Sequence, residues 1–105
     1  MIYEEGPRVE LKSELVPEIC EEIRAFLNAE GGKIYIGVDD CGTVLGVPEG
    51  MKDIVDVALS NKINDNILPA ANGCISHDYN SDNVLEVCVL PGEKQALYKR
   101  QGTET

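Results

Sequence analysis

No stretch of this chain is apolar for long enough to cross a membrane, and no charged-then-apolar leader opens it, since Met1 is followed at once by Tyr3-Glu4-Glu5. Both absences lead to the expectation of a cytoplasmic protein. Paired metal-binding cysteines are missing too: Cys20, Cys41, Cys74 and Cys88 are irregularly spaced, no Cys-x-x-Cys occurs, and His77 is the single histidine. That pattern argues against a zinc site. Positive charge is scarce, with nine Lys and Arg against nineteen Asp and Glu and a net charge of −10. Nucleic-acid binding takes most of its affinity from neutralised phosphates. Any such binding here needs a local basic patch, a metal ion or a partner chain. There is no Gly-x-x-x-x-Gly-Lys-Ser/Thr run, no internal repeat and no low-complexity segment.

What is present reads as one domain. A length of 105 residues with 43% hydrophobic content suffices for two helices on a sheet without disulfides or metal. Met1 to Gly6 is polar and acidic and reads as a loosely held start. Arg8-Val9-Glu10-Leu11-Lys12 alternates as a short strand does, with Val9 and Leu11 toward the core and Glu10 and Lys12 together on the other face, Arg8 beside them. Such a face is equally the ordinary solvated side of a strand.

Pro17 suits the first position of a helix, and Glu18, Glu21 and Glu22 complement the helix dipole. Ile19, Cys20, Ile23, Phe26 and Leu27 form one apolar stripe, and Gly31-Gly32 stop the helix. Lys33 to Val38 follows as a strand with Ile34, Ile36 and Val38 on one side. Asp39-Asp40-Cys41-Gly42 is turn chemistry, and Thr43 to Val47 is expected to return as the second strand of a hairpin.

Met51 to Leu68 reads as a second helix burying Ile54, Val55, Ala58, Leu59, Ile63 and Ile67. Gly73 to Tyr79 and Val84 to Leu90 form another hairpin, whose second strand is apolar on both faces and so central. His77 reads as a surface or hydrogen-bonded residue, because spacing gives it no nucleophile or carboxylate partner. Cys20 and Cys88 read as core residues, and Cys41 as an exposed turn thiol. Ala96 to Arg100 looks like one more strand. The expected fold class is α+β: a single domain with a mostly antiparallel sheet and two helices packed on it.

Three pieces in fixed order then matter: Glu5 with Glu10-Leu11-Lys12; Ala25-Phe26-Leu27-Asn28-Ala29-Glu30-Gly31-Gly32; and Ile36-Gly37-Val38-Asp39-Asp40 with Gly42 and Gly46-Val47. Together they resemble the Schlafen AlbA-type domain, also described as a divergent AAA or DNA-binding domain and found in many bacterial regulators. The resemblance spans nearly the whole chain. Leu11, Leu27 and Ala29 depart from the commoner Phe, Ala and Thr of that family. Tyr98-Lys99-Arg100-Gln101-Gly102 is similar to a Tyr-x-Arg-x-Gly after which more residues normally follow, so residues 1–105 are expected to be a domain trimmed at its C-terminal end.

The resemblance implies a nucleic-acid-binding or transcription-regulatory module, acting as a homo-oligomer or within a larger chain; the basic residues of this sequence that would serve as its phosphate contacts are Lys12, Lys33, Lys94, Lys99 and Arg100. It also implies an alternative, a divalent-metal nuclease acting on DNA or RNA, in which Glu5, Glu10 and Asp40 hold Mg²⁺ or Mn²⁺ and Lys12 assists. Hard cations of that kind prefer carboxylate oxygens. Nucleotide (ATP) binding through Gly31-Gly32 is a third implication. Asp39 is left to the turn.

Overall fold

The computed structural model describes residues 2–92. In chain order its elements are β1 (Val9–Lys12), α1 (Ile19–Leu27), β2 (Gly32–Ile36), a 3₁₀ turn (Glu49–Met51), α2 (Lys52–Asn66), a second 3₁₀ turn (Pro69–Cys74), β3 (Ile75–Tyr79) and β4 (Leu85–Val89). The strands lie in the order β1-β2-β4-β3, with β1 parallel to β2 and the other neighbours antiparallel. This is the expected α+β fold, and β4 is indeed central. The strand expected at 96–100 falls outside the described residues.

Both helices lie on one face. The α1 stripe Ile19, Cys20, Ile23, Phe26 and Leu27 is buried against Ile34 and Ile36 of β2 and Leu85, Val87 and Val89 of β4, and α2 adds Leu59 and Ile63. Each such side chain contributes roughly 1.5–3 kcal/mol of burial. Gly31, at φ +81°, ends α1 by donating to the Phe26 carbonyl at 2.9 Å. A Cβ there would lie 2.5 Å from the Val89 carbonyl oxygen. The glycine stop expected from the sequence is therefore also a close-packing site.

Leu11 is buried and Val9 partly buried, as expected, but in a second apolar cluster on the opposite face of the sheet, where Leu11 packs with Tyr3, Tyr35, Val38 and Val84 and Val9 lies against them. Four expectations need correction. Val38 joins that second cluster instead of following Ile34 and Ile36. The reason is a bulge: Gly37, at φ +111°, and Val38 both donate to the Lys12 carbonyl, at 2.7 and 3.1 Å, so two residues oppose one and the side-chain alternation flips.

The bulge also spoils the expected hairpin. Residues 43–47 make only a single bridge, Val38 to Val44, and Val47 donates to Asn83 at 2.7 Å. The start of the chain is not loose: Tyr3 is 4% exposed, meets Tyr35 edge-on at 5.0 Å and donates its hydroxyl to Asp82 at 2.8 Å. Finally, Ile54 is 60% exposed. The seam of α2 runs through Val55, Leu59 and Ile63, four residues apart, and Ile54 lies a residue, about 100° of helix, away from it.

Candidate functional site

β1 is an edge strand, and edge strands expose unpaired backbone groups. The chain covers this edge with its own beginning. Gly6 and Val9 exchange backbone hydrogen bonds of 3.1 and 3.2 Å, and Glu5 Oε2 accepts the Leu11 N–H at 3.2 Å. Glu5 thus sits alongside the strand that carries Glu10 and Lys12.

Glu10 and Lys12 are in register with Ile34 and Ile36, so they share the helix-covered face, at its margin. There the Lys12 Nζ lies 3.1 Å from Glu22 of α1 and 3.5 Å from Glu10. Burial first, then the charges of Glu22 and Glu5, hold the Glu10 carboxyl above its ordinary value, and the Lys12 charge only partly offsets them. Burial works against the Lys12 charge, but the hydrogen bond to Glu22 and the charges of Glu22 and Glu10 outweigh it, so the ammonium is held above its ordinary value. Both shifts are upward, which favours the charged form of Lys12 and the neutral form of Glu10, because Glu22 is the closer partner of Lys12 while Glu10 is crowded by two like charges. The sequence reading had given Glu22 to the helix dipole. Its signal was its place beside Ile23 and Ile19, on the flank of the buried stripe.

Asp39 behaves as a turn residue: its Oδ1 accepts from the Cys41 and Thr43 amides, both at 2.9 Å. Asp40 is exposed. Its loop rests on the chain start, where a Cβ on Gly42 would lie 2.5 Å from the Tyr3 carbonyl oxygen. Glu5, Glu10 and Asp40 have the right donor chemistry for Mg²⁺ or Mn²⁺. Their placement does not make a ligand set, since among the described residues no three His, Cys, Asp or Glu side chains are grouped to hold one ion.

The basic residues divide. Lys12 is committed to two carboxylates. Lys33 is exposed at the other end of the sheet, and its backbone N–H donates to the Arg8 carbonyl at 2.9 Å. The Arg8 guanidinium, absent from the expected contacts, bonds the Glu30 and Gly31 carbonyls at 2.6 and 3.4 Å and pairs loosely with the Glu30 carboxylate at 3.9 Å. Gly92 donates to the Leu27 carbonyl at 2.8 Å, and Pro91 packs beside Gly31, so the chain leaves the sheet at this same end. Lys94, Lys99 and Arg100 lie outside the described residues.

His77 is hydrogen-bonded, one of the two roles expected of it. It has both partners that spacing had not indicated, a carboxylate at 2.7 Å (Asp56) and a hydroxyl at 3.4 Å (Ser60). A helix one turn of which faces a strand position twenty residues later leaves no trace in local spacing. Of the cysteines, Cys20 is buried and Cys41 exposed as expected, whereas Cys88 is half-buried on the outer face.

Fold and site together define a small α+β domain with an ionic cluster on one sheet edge and the exposed Arg8 and Lys33 at one end. The sequence model of the family described as Schlafen, AlbA_2 matches residues 5–105, and the chain belongs to that family. None of the curated proteins matches it. The family links the chain to nucleic-acid binding, and the matched span takes in every candidate residue from Glu5 to Arg100. Among the described residues, no helix is long and apolar enough to cross a membrane.

Proposed function

We propose that this chain is a nucleic-acid-binding module of regulatory type, which holds DNA by its phosphates at the Arg8–Lys33 end of the sheet. The observation that carries this reading is the separation of the cations. Lys12 is paired with two carboxylates at the margin of the core, while Arg8 and Lys33 stand at the end where the chain passes into the segment bearing Lys94, Lys99 and Arg100. With a net charge of −10, phosphate contact needs a local group of cations to offset the carboxylates. Exposed pairs such as Arg8–Glu30 are worth little and exchange readily for a phosphate.

Fluorescence anisotropy with a labelled duplex, measured over a range of salt, tests the reading. Lys33→Ala and Arg8→Ala should each weaken binding uniformly across sequences and lower the slope of log affinity against log salt by about 1. Lys12→Ala should leave that slope unchanged. A slope altered by Lys12→Ala alone would overturn the assignment.

A second reading, metal-dependent cleavage by Glu5, Glu10 and Asp40, is favoured by one observation, the crowding of Glu10 by Glu5. It requires Asp40 to move onto the two glutamates. Labelled RNA incubated with Mn²⁺ decides it: loss of cleavage in Asp40→Ala supports the site, and equal background cleavage by both proteins ends it.

A further inference from the structure

His77 lies on the helix-covered face of β3, in register with Val87 of β4, and its ring meets α2. Asp56 and Ser60 are one helical turn apart, so both reach the same imidazole. Nδ1 stands 2.7 Å from Asp56 Oδ1 and Nε2 stands 3.4 Å from Ser60 Oγ. An ionised carboxylate can only accept, so Nδ1 carries a proton, and in the neutral ring Nε2 is left to accept from the Ser60 hydroxyl. The carboxylate thereby fixes the tautomer that a general base requires.

The serine side of the ring opens on a cavity of about 200 Å³ lined by Ser60, Ile63, Asn64, Ile75 and His77. Its walls are two isoleucines and one carboxamide. That is room for an acyl chain of a few carbons, with a polar side chain one turn beyond the nucleophile. None of these residues belongs to the charged edge of β1, and nothing in nucleic-acid binding uses them.

We propose that Ser60, His77 and Asp56 form an acyl-transfer site that hydrolyses small esters with a short acyl chain. Ser60 Oγ bonds to the ester carbonyl carbon while its proton passes to His77 Nε2. The bond from that carbon to the alcohol oxygen breaks, and the alcohol leaves with the proton from Nε2. Water then gives a proton to Nε2 and its oxygen bonds to the acyl carbon. The acyl–Ser60 bond breaks, the carboxylic acid departs, and Ser60 recovers its proton from His77. Asp56 remains ionised throughout as a positioning residue, while Ser60 and His77 are the catalytic residues.

The test is covalent labelling of the folded chain by a fluorophosphonate, which reacts with a serine activated by a base, followed by mass spectrometry of the labelled peptide. The wild type should label at Ser60 and Ser60→Ala should not. His77→Ala and Asp56→Asn should slow labelling by on the order of a thousandfold or more. Asp56→Asn should also displace the pH–rate profile, which a hydrogen bond serving only to tie α2 to β3 would leave in place. Circular dichroism confirms that each variant is folded. An unlabelled Ser60 in the folded wild type, or an Asp56→Asn protein labelled at the wild-type rate, would overturn the proposal.

Discussion

The two faces of the sheet are closed by different means. On one, fourteen buried residues from both helices and the strands form a continuous apolar core. On the other, four buried residues gather under Tyr3, an aromatic from the start of the chain, which is tied by hydrogen bonds to the β3–β4 turn. The first face is held mainly by buried apolar area, with polar contacts such as His77–Asp56 and Lys12–Glu22 at its margins. The second mixes apolar contact with directed bonds, running from Tyr3 to Asp82 and Asn80 and from Asn80 to Glu86 at 2.9 Å. The helix-covered face therefore sets the stability of the domain, and the outer face fixes where its beginning lies. That beginning carries Glu5 to the edge where Glu10 and Lys12 sit.

If this division is right, the largest loss should come from the helix-covered face. Leu59→Ala removes a fully buried side chain from the middle of the core and should cost about 2–5 kcal/mol in denaturant unfolding. A loss well under 1 kcal/mol would show that α2 is not part of the cooperative core. Next comes the residue at which the two faces exchange side chains. Gly37→Ala places a Cβ on a backbone at φ +111°, 3.3 Å from Gly46, and should cost about 1–3 kcal/mol. Because Gly37 directs Val38 to the outer face, this variant should also perturb the Tyr3 and Tyr35 ring signals in NMR spectra, which Leu59→Ala should disturb far less.

The helix-covered face was also the legible one. The α1 stripe, the Gly31-Gly32 stop, the β3–β4 hairpin and the Asp39 turn each depend on residues within a few positions of one another, and periodicity or turn chemistry shows them directly. The outer face depends on contacts that have no local signature. Tyr3 meets a residue 79 positions away, and Val38 changes sides because of one backbone angle at Gly37. The candidate site divides in the same way. Glu10 and Lys12 were readable as neighbours on one strand face, but Glu22 enters their cluster from a helix, and only packing brings it there. Asp56 and Ser60 reach His77 for the same reason.

A smaller effect isolates the directed bonds of the outer face. Tyr3→Phe keeps the ring against Tyr35 and removes only the hydroxyl that donates to Asp82 and accepts from Asn80 at 3.0 Å. The expected loss is about 1 kcal/mol. Proteolysis near residues 2–6 should rise in step. If stability falls by as much as for Leu59→Ala, the outer face is no mere tether, and the contrast between the faces fails.

The smallest effect concerns the margin between them, at Glu10. Its carboxyl is held above the ordinary 4.5 by burial first and then by Glu22 and Glu5, so the folded chain holds that proton more tightly than the unfolded chain does. Ionisation therefore subtracts from stability as pH rises from the unfolded value through the raised folded one, and below the unfolded value the penalty disappears. Glu10→Gln cannot ionise. It should be more stable than the wild type at pH 7 by roughly a few tenths of a kcal/mol, partial exposure screening the rest, and the difference should close as pH falls below about 4.5. Chemical denaturation of both proteins at pH 7 and pH 4 measures it. A wild type that is the more stable at pH 7 would mean that Lys12 serves Glu10 before Glu22, and the cluster would then be an ordinary ion pair at the sheet edge rather than a crowd of carboxylates sharing one lysine.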